Sequence, residues 1–177
     1  MTASARERIL DAAITLMATK APSQIAGREI AKQAGVNYGL IHRHFGSKNN
    51  ACKEAFQRLA GDYVRQVRGG HEGDWILSMR SEPEHQDLWR ILAHSAMDGD
   101  SLAILGWDYP LLRDRLAARV STSDQDADSA QTKIATAFSL AFGWTVFQPF
   151  LVEALALAPD DFAEVDAAIT RRIGELW

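Results

Sequence analysis

Between Arg28 and Lys48 the sequence gathers side chains that can bind nucleic acid. Residues 37–44 include an amide, a phenol, two imidazoles and a guanidinium, groups that suit the base edges and phosphates of a DNA major groove. His42 and His44 are two residues apart, so on a helix their rings diverge and cannot easily share a metal ion. The chemistry that this stretch suggests is therefore hydrogen bonding to DNA.

Two short helices around a tight turn would position these groups. The first is predicted over about 27–33, and Gly35 supplies the turn, where a positive φ angle costs little. Asn37 can cap the second helix by accepting a hydrogen bond from an exposed N–H group. Ile41 and Phe45 recur at helical spacing and can pack against the first helix.

The remaining positions of the second helix point away from this core. They are Tyr38, Gly39, Leu40, His42 and Arg43. Gly39 would let the backbone approach the groove closely, while Arg43, His44 and Lys48 are placed to meet phosphates. An ordinary helical hairpin with a solvated polar face has the same pattern, so spacing alone does not decide between the two.

The same stretch resembles the TetR (tetracycline-repressor) family of transcriptional regulators. The motifs that carry the resemblance are Arg-Glu-Ile-Ala at 28–31, Ala-Gly-Val at 34–36, Gly39, and His-Phe-x-Ser-Lys at 44–48. The resemblance implies that the second helix enters the major groove of double-stranded DNA. It also implies that Arg28 contacts a base or a phosphate, that residues 38–40 face the groove, and that His42, His44 and Lys48 meet the backbone.

Three departures from the family pattern affect individual contacts. Residues 25–27 are Ile-Ala-Gly where the family usually has Thr or Ser, so no hydroxyl is present there to cap the helix or contact a phosphate. Leu40 replaces the common Thr and could touch a thymine methyl group. His42 replaces the common Tyr, which would make a phosphate contact sensitive to pH. The operator sequence therefore cannot be taken from any relative.

Charge is distributed unevenly along the 177 residues, whose net charge is −4. Residues 1–50 carry seven Lys/Arg and three Asp/Glu, a net of +4, whereas residues 51–177 carry twelve and twenty, a net of −8. Because salt screens charges beyond about 10 Å, a basic head can bind DNA despite an acidic body. The single cysteine, Cys52, and a charged N-terminus unlike a secretory signal indicate a reduced, cytoplasmic setting.

The periodicity predicts an all-α fold with two domains. Residues 1–50 form a three-helix head, a helix over 47–69 links it to the body and ends at Gly69-Gly70, and residues 70–177 form a helical body. Residues 134–152 hold no charge and approach transmembrane length. Their polar residues and Pro149 argue against a membrane span, so this helix is predicted to be buried between several partners and kinked or ended at Pro149.

The apolar stripe of the last helix also needs a partner. In the TetR family the last two helices form a four-helix interface with a second subunit, so the resemblance implies a homodimer. Burial of both stripes within one monomer is the alternative.

Aromatic residues of the body could line a pocket for a small apolar or aromatic ligand. The candidates are Trp89, Trp107, Phe138 and Phe142. Each alone is more often a core residue. The sequence has no Gly-x-Ser-x-Gly elbow, phosphate-binding loop or carboxylate pair that would indicate an enzyme, and no cofactor is expected.

These observations favour a homodimeric regulator, most simply a repressor, that a small molecule releases from a palindromic operator. The main alternative is a helix-turn-helix protein that acts through a protein partner without ligand control. A small-molecule-binding or catalytic helical protein is a third option.

Overall fold

The structure is a computed structural model that describes residues 3–67, 85–99, 101–122 and 127–176. Every regular element within these ranges is helical, which confirms the all-α fold. In chain order they are α1 (Ala5–Met17), the short 3₁₀ helix η1 (Pro22–Gln24), α2 (Gly27–Gln33), α3 (Gly39–Phe45), α4 (Lys48–Val67), α5 (Gln86–Asp98), α6 (Ser101–Leu105), α7 (Pro110–Thr122), α8 (Ala127–Ala154) and α9 (Pro159–Gly174).

The chain forms two compact units. The first combines Met1–Arg65 with Gln86–Asp108, and the second combines Gln66–His85 with Tyr109–Trp177. Packing therefore assigns α5 and α6 to the same unit as α1–α3, although the sequence-based division placed everything beyond residue 70 in the body. The predicted end of the linking helix at Gly69-Gly70 lies outside the described residues.

The core of the first unit is built from apolar positions at helical spacing. Ser4 and Glu7 cap α1 reciprocally: Ser4 Oγ accepts from the Glu7 N–H at 3.2 Å, and Glu7 Oε2 accepts from the Ser4 N–H at 2.8 Å. α1 packs against α2, α3 and α5, and α6 packs against η1. The largest fully buried side chains in this unit are Tyr63, Phe56, Ile9, Met17, Ile25, Ile30, Ile41, Leu88 and Ile91.

Glycines shape both ends of α3. Gly35 has φ of +62°, which confirms the predicted turn, and Gly46 has φ of +75° where α3 ends. L-residues rarely adopt this left-handed region, so glycine is the least costly residue at both positions. After Gly46, Ser47 Oγ accepts from the Asn50 N–H at 3.1 Å and caps α4, as predicted.

The second unit consists mainly of α7, α8 and α9, with α8 packed against both of the others. Ile134, Ala137, Ala141 and Trp144 recur at spacings of three, four and three and are buried. Trp144 Nε1 donates to Asp166 Oδ1 at 2.8 Å, and its ring stacks on Phe162 with centroids 6.0 Å apart. These contacts fix one face of α8 against α9.

The opposite face of α8 is largely uncovered, contrary to the prediction that this helix is buried on most sides. Phe147 and Phe150 are 57% and 65% exposed, and Leu140 is 38% exposed. Two neighbouring helices of one chain can cover only part of a helix that is apolar all round. α8 also continues past Pro149 to Ala154, so proline does not end it.

By length and composition, α8 includes a segment that could cross a membrane. Residues 129–154 reach a mean hydropathy of 1.4, and 22% of the most apolar window is buried within the chain. Core and interface helices of globular proteins meet the same criteria, so one such helix is weak evidence for a membrane span.

We expect Cys52 to be unreactive in the folded protein. Burial raises the pKa of its thiol to about 11, although the nearby Lys48 charge acts in the opposite direction. Because the thiolate is the reactive form, a water-soluble thiol reagent at neutral pH should label Cys52 only after unfolding. The folded state favours the neutral thiol, so its contribution to stability is present below the unfolded pKa, about 8.5, and is lost as pH rises through about 11.

The measurement is the labelling rate in buffer and in denaturant. A matched control places an exposed cysteine one turn away, as Asn49→Cys in a Cys52→Ala background, and that thiol should react at once. Labelling of Cys52 in the folded protein at the rate of this control would contradict the prediction.

Candidate DNA-binding surface

α3 presents a polar face because two apolar residues anchor its other side. Ile41 is fully buried and Phe45 is 6% exposed, and these positions lie one turn apart on the inner face. Asn37, one residue before the N-cap Tyr38, accepts through Oδ1 from the exposed Gly39 N–H at 2.9 Å, which is the predicted hydrogen bond. The predicted outward residues are accordingly exposed or, for Leu40, half-buried. The exposed ones are Asn37, Tyr38, Gly39, His42, Arg43 and His44.

The side chain of Tyr38 is held by its own helix. Its hydroxyl lies 3.0 Å from His42 Nε2, and the two rings meet edge to face with centroids 5.0 Å apart. The other imidazole nitrogen, Nδ1, lies 3.0 Å from the carbonyl oxygen of Gly46. His42 therefore connects Tyr38 at the start of α3 with the backbone at its end.

Gly27, the first residue of α2, lies beneath the Tyr38 ring. A Cβ atom at this position would stand 2.7 Å from Tyr38 Cε2 and 3.4 Å from Lys48 Cβ. The first distance is too short for any real side chain, so a larger residue here would displace the ring. Gly27 itself is buried.

The start of α2 is capped without a hydroxyl side chain. Ala26 precedes the helix, and Glu29 Oε2 accepts from the Ala26 N–H at 2.8 Å. Lys20 Nζ lies 2.7 Å from Glu29 Oε1. The hydrogen bond from Lys20 and that from Ala26 hold the pKa of Glu29 below its usual range. Glu29 thus caps α2 in place of the missing Thr or Ser, but no hydroxyl is present there to contact a phosphate.

Lys48 has an internal role that the sequence did not indicate. Its ammonium group donates to the carbonyl oxygens of Pro22 at 2.7 Å and Ser23 at 3.3 Å. An ammonium group has three donors, so one stays available for a phosphate after these two bonds. Arg28, in contrast, is an exposed residue of α2. The assignment of both to DNA contacts stays a prediction.

Comparison with known proteins gives this surface its context. The family described as "Bacterial regulatory proteins, tetR family" matches residues 9–50. The HTH-type transcriptional repressor Rv3405c of Mycobacterium tuberculosis is 32% identical over 149 residues, which are 84% of this chain and 76% of that protein. The chain belongs to the TetR family. It is therefore a transcriptional regulator with a helix-turn-helix DNA-binding domain.

Two solved structures share the fold of this chain. A transcriptional regulator from Rhodococcus sp. Rha1 superimposes with a TM-score of 0.67 at 19% identity, covering 98% of this chain and 96% of that one. A tetR-family transcriptional regulator from Streptomyces coelicolor gives 0.58 at 17% identity, covering 99% and 82%. TetR-family proteins bind DNA, usually act as dimers and are not enzymes, which confirms the prediction that this one is not an enzyme.

The four predicted ligand-binding aromatics of this TetR-family regulator divide between the two units. Trp89 is buried against Tyr63, and Trp107 meets Phe56, each pair edge to face with centroids 5.4 Å apart. Both tryptophans belong to the first unit. Phe138 and Phe142 belong to the second unit and stack on each other with centroids 5.5 Å apart. Their role in ligand binding stays a prediction.

Sequence reasoning missed Gly27 and the contact between Tyr38 and His42. The spacing of four between the two residues could have indicated that they meet on one helix face. No local signal could have placed Gly27 beneath the Tyr38 ring, since the two residues belong to different helices.

Replacing Arg43 with alanine should weaken binding to every duplex by about the same factor, because a phosphate contact carries no sequence information. The slope of log affinity against log salt should become shallower by about one unit for each copy of the chain in the complex, since each copy neutralises one fewer phosphate. The measurement is a series of binding isotherms on several duplexes at several salt concentrations.

Arg172→Ala is the matched control, since it removes an exposed arginine from α9 in the other unit. A weakening confined to one duplex sequence, or an equal weakening in the control, would show that Arg43 does not contact phosphate.

Proposed function

We propose that this TetR-family protein is a homodimeric repressor that binds a palindromic operator through α3 and is released by a small molecule. The observation that carries the DNA-reading role is the exposed face of α3, where a phenol, two imidazoles and a guanidinium stand opposite the buried Ile41 and Phe45. This face matches what major-groove recognition by a short helix requires. The word repressor follows the name of the relative Rv3405c.

The sign of the local charge supports the same role. Arg6 pairs with Glu54, Lys20 with Glu29, and Arg58 with Asp11. Within the described residues, no ion pair engages Arg28 or Arg43 on α2 and α3. Arg28 and Arg43 are thus uncommitted cations beside the reading face, where DNA phosphates would lie.

A second copy of the chain is proposed to cover the exposed face of α8. Phe147 and Phe150 are more than half exposed on a helix whose other face already packs on α9. Apolar patches of this kind mark interfaces in proteins that fold in water. Two copies of α8 and α9 would form a four-helix interface, and each dimer would present two heads to two half-sites with centres about 34 Å apart, or a multiple of that distance.

Ligand control is proposed to act through η1. Ser23 Oγ donates to Asp98 Oδ2 at 2.6 Å, and Gln24 Nε2 donates to Asp98 Oδ1 at 3.3 Å. The end of α5 therefore holds η1 from one side, while Lys48 of α4 holds it from the other. Because η1 leads into α2, a shift of α4 or α5 would move the helix pair that reads DNA. Coupling of this kind is typically about 1–3 kcal/mol.

The proposed ligand is a small apolar or aromatic molecule, and the proposed location is the cytoplasm. The aromatic residues of both units support the ligand class, and a buried reduced Cys52 fits the compartment. The alternative function, a helix-turn-helix protein that acts through a protein partner, would use the same DNA-reading face without ligand control.

Selection of bound duplexes from a random DNA pool should yield a palindromic motif of fixed half-site spacing. Tyr38→Ala should relax the preference at one position of each half-site, at a cost of about 1–3 kcal/mol. Repeating the selection at two salt concentrations separates sequence reading from general charge attraction. An unenriched pool, with binding that vanishes uniformly as salt rises, would refute operator recognition.

Phe147→Asp should convert the dimer to a monomer, because a buried unpaired carboxylate strongly opposes association. Sedimentation equilibrium measures the change. Asn49→Asp is the matched control, since it adds the same charge at an exposed polar position of α4 in the first unit. A wild-type protein that sediments as a monomer at micromolar concentration would remove the dimer from the proposal.

A further inference from the structure

The side chain of Tyr38 is held at both ends by contacts within the protein. Its ring lies over the space that Gly27 leaves open, and its hydroxyl meets the imidazole of His42. The residue is nevertheless 39% exposed, so its outer edge is accessible. A recognition residue fixed in this way does not lose conformational entropy again when DNA binds.

The hydrogen-bonding partners of His42 determine which way the Tyr38 hydroxyl points. The Gly46 carbonyl oxygen can only accept, so His42 Nδ1 must carry the hydrogen of that bond. In the neutral imidazole, Nε2 is then an acceptor, and the group 3.0 Å away must donate to it. While the His42 imidazole is neutral, the hydrogen of the Tyr38 hydroxyl is therefore committed to it, and only the oxygen lone pairs of Tyr38 face outward.

A hydroxyl that can only accept discriminates among bases in the major groove. Adenine and cytosine present an exocyclic amino group there, whereas guanine and thymine present oxygen or nitrogen acceptors on the corresponding edge. Guanine O6 or thymine O4 opposite the Tyr38 oxygen would place two acceptors face to face without a hydrogen between them.

We infer that the Tyr38 hydroxyl accepts a hydrogen bond from the exocyclic amine of an adenine or a cytosine, and that Gly27 and His42 are the positioning residues that impose this choice. The inference rests on the proposed operator binding and adds the chemical class of the base that is read. His42 accepts the hydrogen of the Tyr38 hydroxyl and so sets which way that hydroxyl points. Gly27 has no side chain and so leaves space for the Tyr38 ring.

The first test compares duplex selection by the wild-type protein with selection by Tyr38→Phe, which keeps the ring and removes only the hydroxyl. The base pair whose preference relaxes in Tyr38→Phe is the one that the hydroxyl faces. Every base pair has one exocyclic amine in the major groove, on its adenine or its cytosine, so the next test removes that amine to show whether the hydroxyl binds it. No relaxed position overturns the inference while leaving operator binding intact. Absence of any motif refutes operator binding itself, and this inference with it.

The second test removes the amine from the DNA. If the base is adenine, a purine analogue without the 6-amino group should weaken wild-type binding about 3- to 10-fold, the range for one hydrogen bond. Tyr38→Phe should show no such weakening. The 7-deaza analogue, which keeps the amine and removes the N7 acceptor, is the control and should bind normally. The reverse pattern would show that the hydroxyl donates. For cytosine, the analogue without the 4-amino group serves in the same way.

The third test addresses the positioning residues through the ratio of affinities for the preferred base and for its replacement by guanine or thymine. His42→Phe leaves the Tyr38 hydroxyl free to donate, so this ratio should fall towards one. Gly27→Ala should also lower the ratio, but not in a Tyr38→Ala background. A phosphate contact by His42, or a loss of stability, would lower affinity for all duplexes and leave the ratio unchanged, and that result would overturn the positioning roles.

Discussion

Burial of Ile41 and Phe45 is the constraint on which the DNA-binding surface depends. α3 has seven residues, too few to be stable as an isolated helix in water. Its orientation is therefore set by these two side chains, each of which contributes about 1.5–3 kcal/mol when fully buried. When these two side chains point inward, the geometry of the helix places Tyr38, His42 and Arg43 on its outer face. The proposed DNA-reading face is thus a consequence of core packing.

Some cations of the head are paired with carboxylates or backbone carbonyls, and others beside α3 stay unpaired among the described residues. The cations that link helices within the unit, Arg6 and Arg58, pair with carboxylates, and Lys48 is committed to backbone carbonyls. Exposed ion pairs contribute little to stability, typically under about 1 kcal/mol. Within the described part of the chain, Arg28 and Arg43 have no ion-pair partner, so their positive charge stays available beside α3, where screening permits only local interactions. An acidic protein can in this way carry a basic surface.

The turn before α2 contacts both α4 and α5, so it can hold the DNA-binding helices in place and also transmit a shift to them. Pro22 and Ser23 are held by Lys48 from α4, and Ser23 and Gln24 by Asp98 from α5. These bonds keep α2 and α3 in place relative to the helices that pack around them. They also offer a short mechanical route from α5 to the DNA-reading helix. The second unit has its own anchor in the contact of Trp144 with Asp166, which leaves the far side of α8 for another partner.

The sequence by itself determined the features that depend on neighbouring residues. Helical periodicity identified the inner and outer faces of α3, and Gly35, Asn37 and Ser47 marked turns and caps whose chemistry is local. The resemblance in residues 28–48 identified the family, because the motif residues are close together in the chain. These signals act over three or four residues, the range of a helix turn.

Only the tertiary structure decided what depends on residues distant in the chain. It placed α5 and α6 with the head, committed Lys48 to η1, set Gly27 beneath Tyr38 and left one face of α8 exposed, where the sequence indicated burial. An apolar stripe shows that a helix needs a partner, but not whether that partner is in the same chain. The physical reason is that packing and hydrogen bonding between helices depend on their arrangement in space, which periodicity along one helix does not encode.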